Sequence, residues 1–568
     1  MSTRLLFVGL LAPVLAPTAR AQVLLAEWSG PHTSAQLGST LRGGDLNGDG
    51  LRDVLAAARN AQVNGAAVGR VIVYSGLDNS VLLDLPGPQS GSAFGFSADF
   101  VGDLNGDGWS EVIVGAPFYQ DIGSIQNGRA AVFNGQTGAE MYAYEGSSLW
   151  DWVGWSVAGI GDLDGDLVPD FAIGSPGLDN QGPDAGGVLL YSGATGNLFN
   201  VVGGVSAGDL AGRSVVGLGD LNGDGHSEFA VSMSLNDAAG FDAGLVAVHS
   251  GSSATWLYEV PGSYAGHNFG EVLAAVGDLD GDGHTDWASG SPGDGFGGNL
   301  AGSFRVHSGL TGALLFSGVG APNDFLGASI SLAGDVDGDS VPDLAVSATG
   351  DSTFNSRSGR VDVHSGAGGA LICSFYGEGS LARLGEGLAL AGDRNGDGVP
   401  DLAMGLPGVN TTSGGASGAV WITAGCHPQG NAYCVQNHAN SIGEFATLAA
   451  SGSAVVSNNL LWLEATGVPP GQFGYFVVGA GQGFVANPAG SQGNLCLSGS
   501  LGRFNQSGQI LTADPATRML FVLDLTSWPV PGSPTVQAGD TWYFQGWYRD
   551  LNPGNTSNFT AALGVPFQ

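Results

Sequence analysis

Seven short segments of this chain place acidic side chains at a spacing that can enclose a cation. They are GDLNGDGLRD from Gly44, GDLNGDGWSE from Gly102, GDLDGDLVPD from Gly161, GDLNGDGHSE from Gly219, GDLDGDGHTD from Gly277, GDVDGDSVPD from Gly334 and GDRNGDGVPD from Gly392. Their common pattern is D-x-[DN]-x-D-G-x-x-[DE]. Side chains at positions 1, 3, 5 and 9 converge, and position 7 offers its backbone carbonyl. The first loop supplies Asp45, Asn47, Asp49 and Asp53 with the carbonyl of Leu51, and the second Asp103, Asn105, Asp107 and Glu111 with that of Trp109. The third supplies Asp162, Asp164, Asp166 and Asp170 with Val168, and the fourth Asp220, Asn222, Asp224 and Glu228 with His226. The fifth supplies Asp278, Asp280, Asp282 and Asp286 with His284. The sixth supplies Asp335, Asp337, Asp339 and Asp343 with Val341, and the seventh Asp393, Asn395, Asp397 and Asp401 with Val399.

An all-oxygen donor set of this kind suits Ca²⁺, which takes six to eight ligands at roughly 2.3–2.6 Å. The expected cofactor is therefore Ca²⁺, up to seven ions, one per loop. Every ligand position is used to cage the ion, whereas a catalytic metal keeps an open position, so the expected role is structural. Without a cation, three or four carboxylates crowd each loop and repel one another. Glycine at position 6 permits the sharp reversal. Leu167 and Ser340 stand there in the third and sixth loops. A side chain at a left-handed turn costs about 1 kcal/mol or more, so these two loops are expected to bind more weakly.

The loops recur every 57–59 residues, which calls for an array architecture. Each unit reads the same way. In the second, GFSADFVGD alternates and predicts a strand, and the acidic loop follows. EVIVGAP predicts a strand buried on both faces, then RAAVFNG and EMYAYEG predict two more. Four strands joined by short turns make one blade of a β-propeller, and blades bury their faces by stacking around an axis. The seventh unit ends after its third strand at GAVWITAG. VLLAEWSG (23–30) looks like a fourth strand without its first three, and is expected to complete the last blade and remove an open edge.

The unit resembles the FG-GAP repeat of integrin α-subunit propellers. Phe94-Gly95 and Gly115-Ala116-Pro117 carry the resemblance in the second unit, and Phe269-Gly270 and Ser291-Pro292 in the fifth. Elsewhere the aromatic is replaced by Leu37, Val153, Ala211, Leu326 or Leu384, each followed by glycine. The resemblance covers about residues 22–425 and implies a seven-bladed propeller. It also implies calcium loops on one rim and ligand contact on the other. Integrin propellers carry calcium in only some blades, whereas this chain has a loop in all seven; it also shows no inserted domain, because no interval exceeds 59 residues.

Composition agrees with an all-β extracellular chain. Glycine numbers 100 of 568 residues, between short runs of Val, Ile, Leu, Phe and Tyr. Net charge is −35, and all 16 basic residues are arginine. Such a surface repels nucleic acid and leaves no lysine for Schiff-base or P-loop chemistry. The loops hold 24 of the 51 acidic residues, so nearly half the acidity lies where a cation would neutralise it. Residues 1–21 read as a secretory signal: Arg4, an apolar stretch from Leu5 to Leu15, and Ala19-Arg20-Ala21 as the cleavage site. No later stretch is apolar enough for a transmembrane helix. Of Cys373, Cys426, Cys434 and Cys496, the preferred disulfide is Cys434–Cys496.

No catalytic constellation is legible in the sequence. Gly204-Val205-Ser206-Ala207-Gly208 matches G-x-S-x-G but lies between repeats rather than at a strand-to-helix elbow. His249, His307 and His364 occupy a repeat position filled elsewhere by Tyr74, Phe133 and Tyr191. At His226 and His284 only the carbonyl is expected to matter. On the rim away from the loops, Trp150, Trp152, Trp155, Tyr264, His267, Phe118 and Tyr119 are either contact residues or packing between blades.

Residues 426–568 lack the acidic loop and predict a small β-sandwich. In it Trp542, Phe544, Trp547 and Tyr548 form core or a carbohydrate-facing stripe. The expected organisation is thus 1–21 signal, 22–425 propeller and 426–568 sandwich. The expected protein is a secreted or cell-surface, non-enzymatic monomer that binds an extracellular protein or glycan. A carbohydrate-binding lectin and the propeller module of an extracellular hydrolase are the alternatives.

Overall fold

The computed structural model describes residues 24–121, 125–353, 355–377, 379–396, 398–425, 431–433, 440–443, 446–453, 456, 460–485, 488, 491–492, 494–506, 509–514, 517–530, 535–537, 539–550 and 556–567. The expected signal segment, Asp397, Cys426 and Cys434 lie outside the described residues. Two compact units carry the described chain, Leu24–Gly425 and Cys426–Gln568.

The first unit contains seven four-stranded antiparallel sheets among the described residues. In blade 2 the order from the axis outward is Ser97–Gly102, Glu111–Ala116, Arg129–Phe133 and Glu140–Glu145. Its second strand is buried at every position, as the apolar run EVIVGA requires, while the outermost strand is largely exposed. The same gradient recurs in Asp170–Ser175 and Leu198–Gly203 of blade 3. The innermost strands contact one another in succession, and the last, Leu388–Gly392, contacts the first, Leu37–Gly44, so the ring closes. The N-terminal strand Leu24–Ser29 pairs antiparallel with Ala419–Thr423 and completes blade 7.

The aromatic-Gly pair has a structural reason. Phe94 is fully buried and bridges to Gly69, the residue before the third strand of the preceding blade. Val153, Ala211, Phe269 and Leu326 repeat the contact, and Leu37 makes it with Gly418 across the closure. A Cβ on Gly69 would stand 2.2 Å from the carbonyl of Phe94, so the approach needs glycine. Hydroxyls add links around the axis: Thr40 donates to the Phe96 carbonyl, Ser97 to Gly154 and Ser156 to Gly212, at 2.8–3.0 Å.

The second unit holds one sheet built on Phe473–Val485, Thr541–Asp550 and Thr556–Pro566, and a three-stranded sheet of Thr447–Ser453, Leu460–Thr466 and Met519–Leu523. Phe476, Phe544 and Leu563 of the first share one apolar core with Leu461, Leu463 and Phe521 of the second. The four aromatics do not form one stripe. Trp542, Phe544 and Tyr548 face this core, whereas Trp547 packs at a tilt against Tyr475, 4.9 Å away, outside it. Cys373 and Cys496 are both disulfide-bonded.

Candidate functional site

Each acidic loop joins the innermost strand of a blade to the second, so all seven emerge on one rim. Local hydrogen bonds explain the shape. Asp45 accepts the N–H of Gly48 on one carboxylate oxygen and of Gly50 on the other, at 2.8 and 2.9 Å. Asp103, Asp162, Asp220, Asp278, Asp335 and Asp393 do the same in their own loops. Position 5 accepts the N–H of position 7, as Asp49 does from Leu51 at 2.8 Å and Asp107 from Trp109 at 2.9 Å. Position 3 accepts the N–H of position 5, as Asn47, Asn105, Asp164, Asn222, Asp280 and Asp337 do. Positions 4 and 6 are both left-handed: Gly48 has φ 73° and Gly50 φ 83°. Leu167 and Ser340 adopt the same conformation at φ 70° and 71°.

Sequence reasoning took the position-9 carboxylate as a ligand and missed a second task. Asp53, Glu111, Asp170, Glu228, Asp286, Asp343 and Asp401 are fully buried. One oxygen of Asp170 accepts the N–H of Leu163 at 2.8 Å and the other that of Gly193 at 2.9 Å. Gly193 begins the turn after the third strand, so one side chain ties loop, second strand and turn together. Asp53 with Gly76, Asp286 with Gly309, Asp343 with Gly366 and Asp401 with Gly425 repeat it. The signal was present as an obligatory glycine. A Cβ on Gly193 would sit 1.8 Å from the carbonyl of Pro169.

Three of the loops gather carboxylates that could hold a cation. Carboxylate oxygens of Asp162, Asp164 and Asp170 lie within 4.8 Å of one another, as do those of Asp278, Asp280 and Asp282, and of Asp335, Asp337 and Asp339. Burial, helped by the neighbouring loop carboxylates, pushes Asp170, Asp286 and Asp343 up to about 6, against the backbone N–H groups that pull them down. Asp53, Glu111 and Glu228 rise for the same reasons. These are carboxylates short of positive charge.

Neighbouring loops are also linked. The N–H of Ser110 reaches the carbonyl of Leu46 in the preceding loop at 2.8 Å, and that of Ser227 the carbonyl of Asp162 at 2.9 Å. The side chains at His226 and His284 take part, contrary to the expectation that only their carbonyls matter. Nδ1 of His226 meets the Leu163 carbonyl at 2.8 Å, and Nδ1 of His284 the Asp220 carbonyl at 3.3 Å.

The remaining candidates divide. His249 and His307 are buried and stack on Phe229 and Trp287, with Nδ1–H donating to the carbonyls of Ala254 and Gly312. Burial lowers both to about 4, which keeps them neutral packing groups. Ser206 donates its N–H to Asp209 in the connection between blades 3 and 4, with no helix beside it. The rim aromatics Phe118, Trp150, Trp152 and Trp155 do come together, joined by Phe96. Tyr264 and His267 form a separate group with Asp294 and Phe296.

Residues 94–133 and 326–364 match the model of the FG-GAP repeat. The chain is similar to integrin alpha-5 of Xenopus laevis, at 32% identity over 196 residues, which are 31% of this chain and 18% of that protein. It is similar to integrin alpha-V of Gallus gallus, at 29% identity over 187 residues, 32% of this chain and 17% of that one. It therefore spans less than a fifth of these relatives. Among solved structures, rhamnogalacturonan lyase YesW aligns with 71% of this chain and 75% of its own at 16% identity and a TM-score of 0.38. Saccharomyces cerevisiae Sqt1 aligns over 71% and 99% at 12% identity and a TM-score of 0.39.

Proposed function

Taking the chain as an FG-GAP propeller of integrin α type, we propose that it is a secreted, non-enzymatic scaffold for adhesion or ligand binding. Calcium in the acidic loops stiffens one rim and the opposite rim meets the ligand. Asp, Asn and Glu side chains of the loops at Asp45, Asp103, Asp162, Asp220, Asp278, Asp335 and Asp393 would hold the ions. The bound cation supplies the positive charge that the buried position-9 carboxylates otherwise lack.

The observation that carries this reading is the asymmetry of the two rims. The acidic loops occupy one. The connections on the other leave Leu149, Trp150, Val205, Phe241, Phe296 and Leu381 exposed, Phe296 at 75% and Phe241 at 72%. The loop rim exposes aliphatic residues too, Leu77 at 72% and Leu167 at 90%, so the asymmetry lies in the aromatics Trp150, Phe241 and Phe296, and exposed aromatics suit an interaction surface.

A polyethylene glycol chain attached through Val205→Cys on the ligand rim, or through Leu77→Cys on the loop rim, tests it. Beads coated with the first should lose adhesion to immobilised matrix proteins and polysaccharides, and beads coated with the second should keep it. The reverse pattern would overturn the reading.

A further inference from the structure

The connection that enters blade 3 departs from the six equivalent ones on this rim, which show what the fold itself needs at each position. Three residues before the buried member of the aromatic-Gly pair stand Ser34, Gly91, Gly208, Gly266, Asn323 and Leu381, all at positive φ. Blade 3 has Trp150 there, at φ 71°, and it is 47% exposed. One residue before the pair stand Gln36, Ala93, Leu210, Asn268, Phe325 and Arg383, and blade 3 has Trp152 at φ 52°. The fold thus accepts glycine, serine, asparagine or leucine at the first position and side chains from Ala93 to Phe325 and Arg383 at the second, so it requires an indole at neither. A β-carbon in the left-handed region is unfavourable, and an exposed indole at such a site gains little burial to offset it.

These indoles form a file that leads inward. Ring centroids run from Trp150 to Trp152 at 6.2 Å, to Trp155 at 5.7 Å and to Phe96 at 5.0 Å. Trp155 and Phe96 line a cavity of about 470 Å³ on the propeller axis, within the range of small-molecule sites. The cavity also carries Arg213, whose guanidinium lies over the Trp155 ring at 5.8 Å, with Glu271 and Glu386. Its charged lining is balanced: Arg42, Arg52 and Arg213 against Asp99, Glu271 and Glu386. That balance stands out in a chain of net charge −35 with only 16 arginines.

We propose that this track binds an uncharged oligosaccharide, one sugar face on each ring, with its inner end hydrogen-bonded to Arg213, Glu271 and Glu386 in the axial cavity. The proposal rests on the reading of this rim as the ligand face and names the ligand class. A saccharide offers apolar C–H faces for the rings and hydroxyls that serve both carboxylate and guanidinium. Neutral cavity charge neither repels nor demands a charged ligand.

The test is calorimetric titration of the full chain in calcium with cellohexaose, xylohexaose, chitohexaose and mannohexaose. At least one should bind with a Kd below about 1 mM and quench tryptophan fluorescence. Trp150→Gly restores the residue found in three other blades, so its melting temperature should hold or rise while binding weakens at least about tenfold. Trp256→Ala, on the outer strand of blade 4, should leave binding unchanged. Binding that survives Trp150→Gly overturns the track. Failure of all four sugars, with adhesion still blocked by the Val205 modification, overturns the saccharide and leaves the ligand rim standing.

Discussion

The buried carboxylate of Asp170 accepts the backbone N–H of Gly193 at 2.9 Å, 23 residues further along the chain. The glycine has no room for a side chain, because its Cβ would meet the Pro169 carbonyl at 1.8 Å. Gly193→Ala must therefore displace the turn and orphan the carboxylate inside the blade. The expected loss is about 2–4 kcal/mol, measured as a lower urea midpoint with unchanged m-value. Gly283→Ala is the control, since nothing lies within 4 Å of a Cβ there and only its φ of 90° opposes the change.

Leu167 and Ser340 hold left-handed positions that glycine fills in the other five loops. Leu167 is 90% exposed, so its side chain contributes little packing. Leu167→Gly and Ser340→Gly should each raise stability by about 0.5–1 kcal/mol, less than the full left-handed penalty because glycine also frees the unfolded chain. Calcium titrations of single-loop variants should show tighter binding after either change. Equal affinity before and after would mean that the turn is not what limits these loops.

Chelation should act on the whole ring. The buried position-9 carboxylates repel the rest of each loop, and a bound cation removes that repulsion. Excess EDTA should lower the melting temperature by well over 5 °C, and added Ca²⁺ should restore it in a concentration-dependent way. An unchanged melting curve would sink the calcium reading.

Much of this was legible because the signals are local. The D-x-[DN]-x-D-G run fixes its own turn through bonds such as Asp45 to Gly48 and Gly50, all within six residues. The buried second strands announced themselves as unbroken apolar runs. The bond from Asp170 to Gly193 was legible only indirectly, as a glycine that recurs after each third strand, since the donor itself is a backbone group that any residue type has. The reach of His226 to Leu163 depends on how closely the ring spaces adjacent loops, which no single repeat encodes. Of the four aromatics expected as core or stripe, Trp542, Phe544 and Tyr548 share the even face and are core, while Trp547 lies on the other face, as their imperfect alternation allows.

Acid should weaken the fifth blade through His267. Its Nδ1 accepts the Ser263 N–H at 3.2 Å, where Asp151 and Asp209 serve as acceptors in their own blades. The ring faces Asp294 at 3.8 Å, Tyr264 and Arg305. Burial first, then Arg305, lowers His267 to about 4, against Asp294, which raises it. The unfolded chain therefore takes up the proton more readily. Stability is present above about pH 6.5 and falls as pH drops toward 4. His267→Asn should flatten the difference between urea midpoints at pH 7.5 and 5.0 relative to the parent, both in saturating calcium.

The seam between the last blade and the first should be the weakest point of the ring under mutation. Trp28, on the strand that completes blade 7, stacks on Tyr74 of blade 1 at 3.9 Å. Arg394 sits where the other loops carry Leu46, Leu104, Leu163, Leu221, Val336 and Leu279. Its guanidinium reaches across to the Ser75 carbonyl at 3.2 Å and the Asn79 side chain at 2.8 Å, and lies 5.8 Å from the Trp28 ring. Trp28→Ala removes a buried indole and its partner stack, with an expected loss of about 3–5 kcal/mol. Arg394→Leu keeps the volume but strips the polar partners, with an expected loss of about 1–3 kcal/mol. Because both act on one seam, the double variant should lose less than the sum of the two. Strict additivity in a denaturation cycle would show that the two residues guard the closure independently.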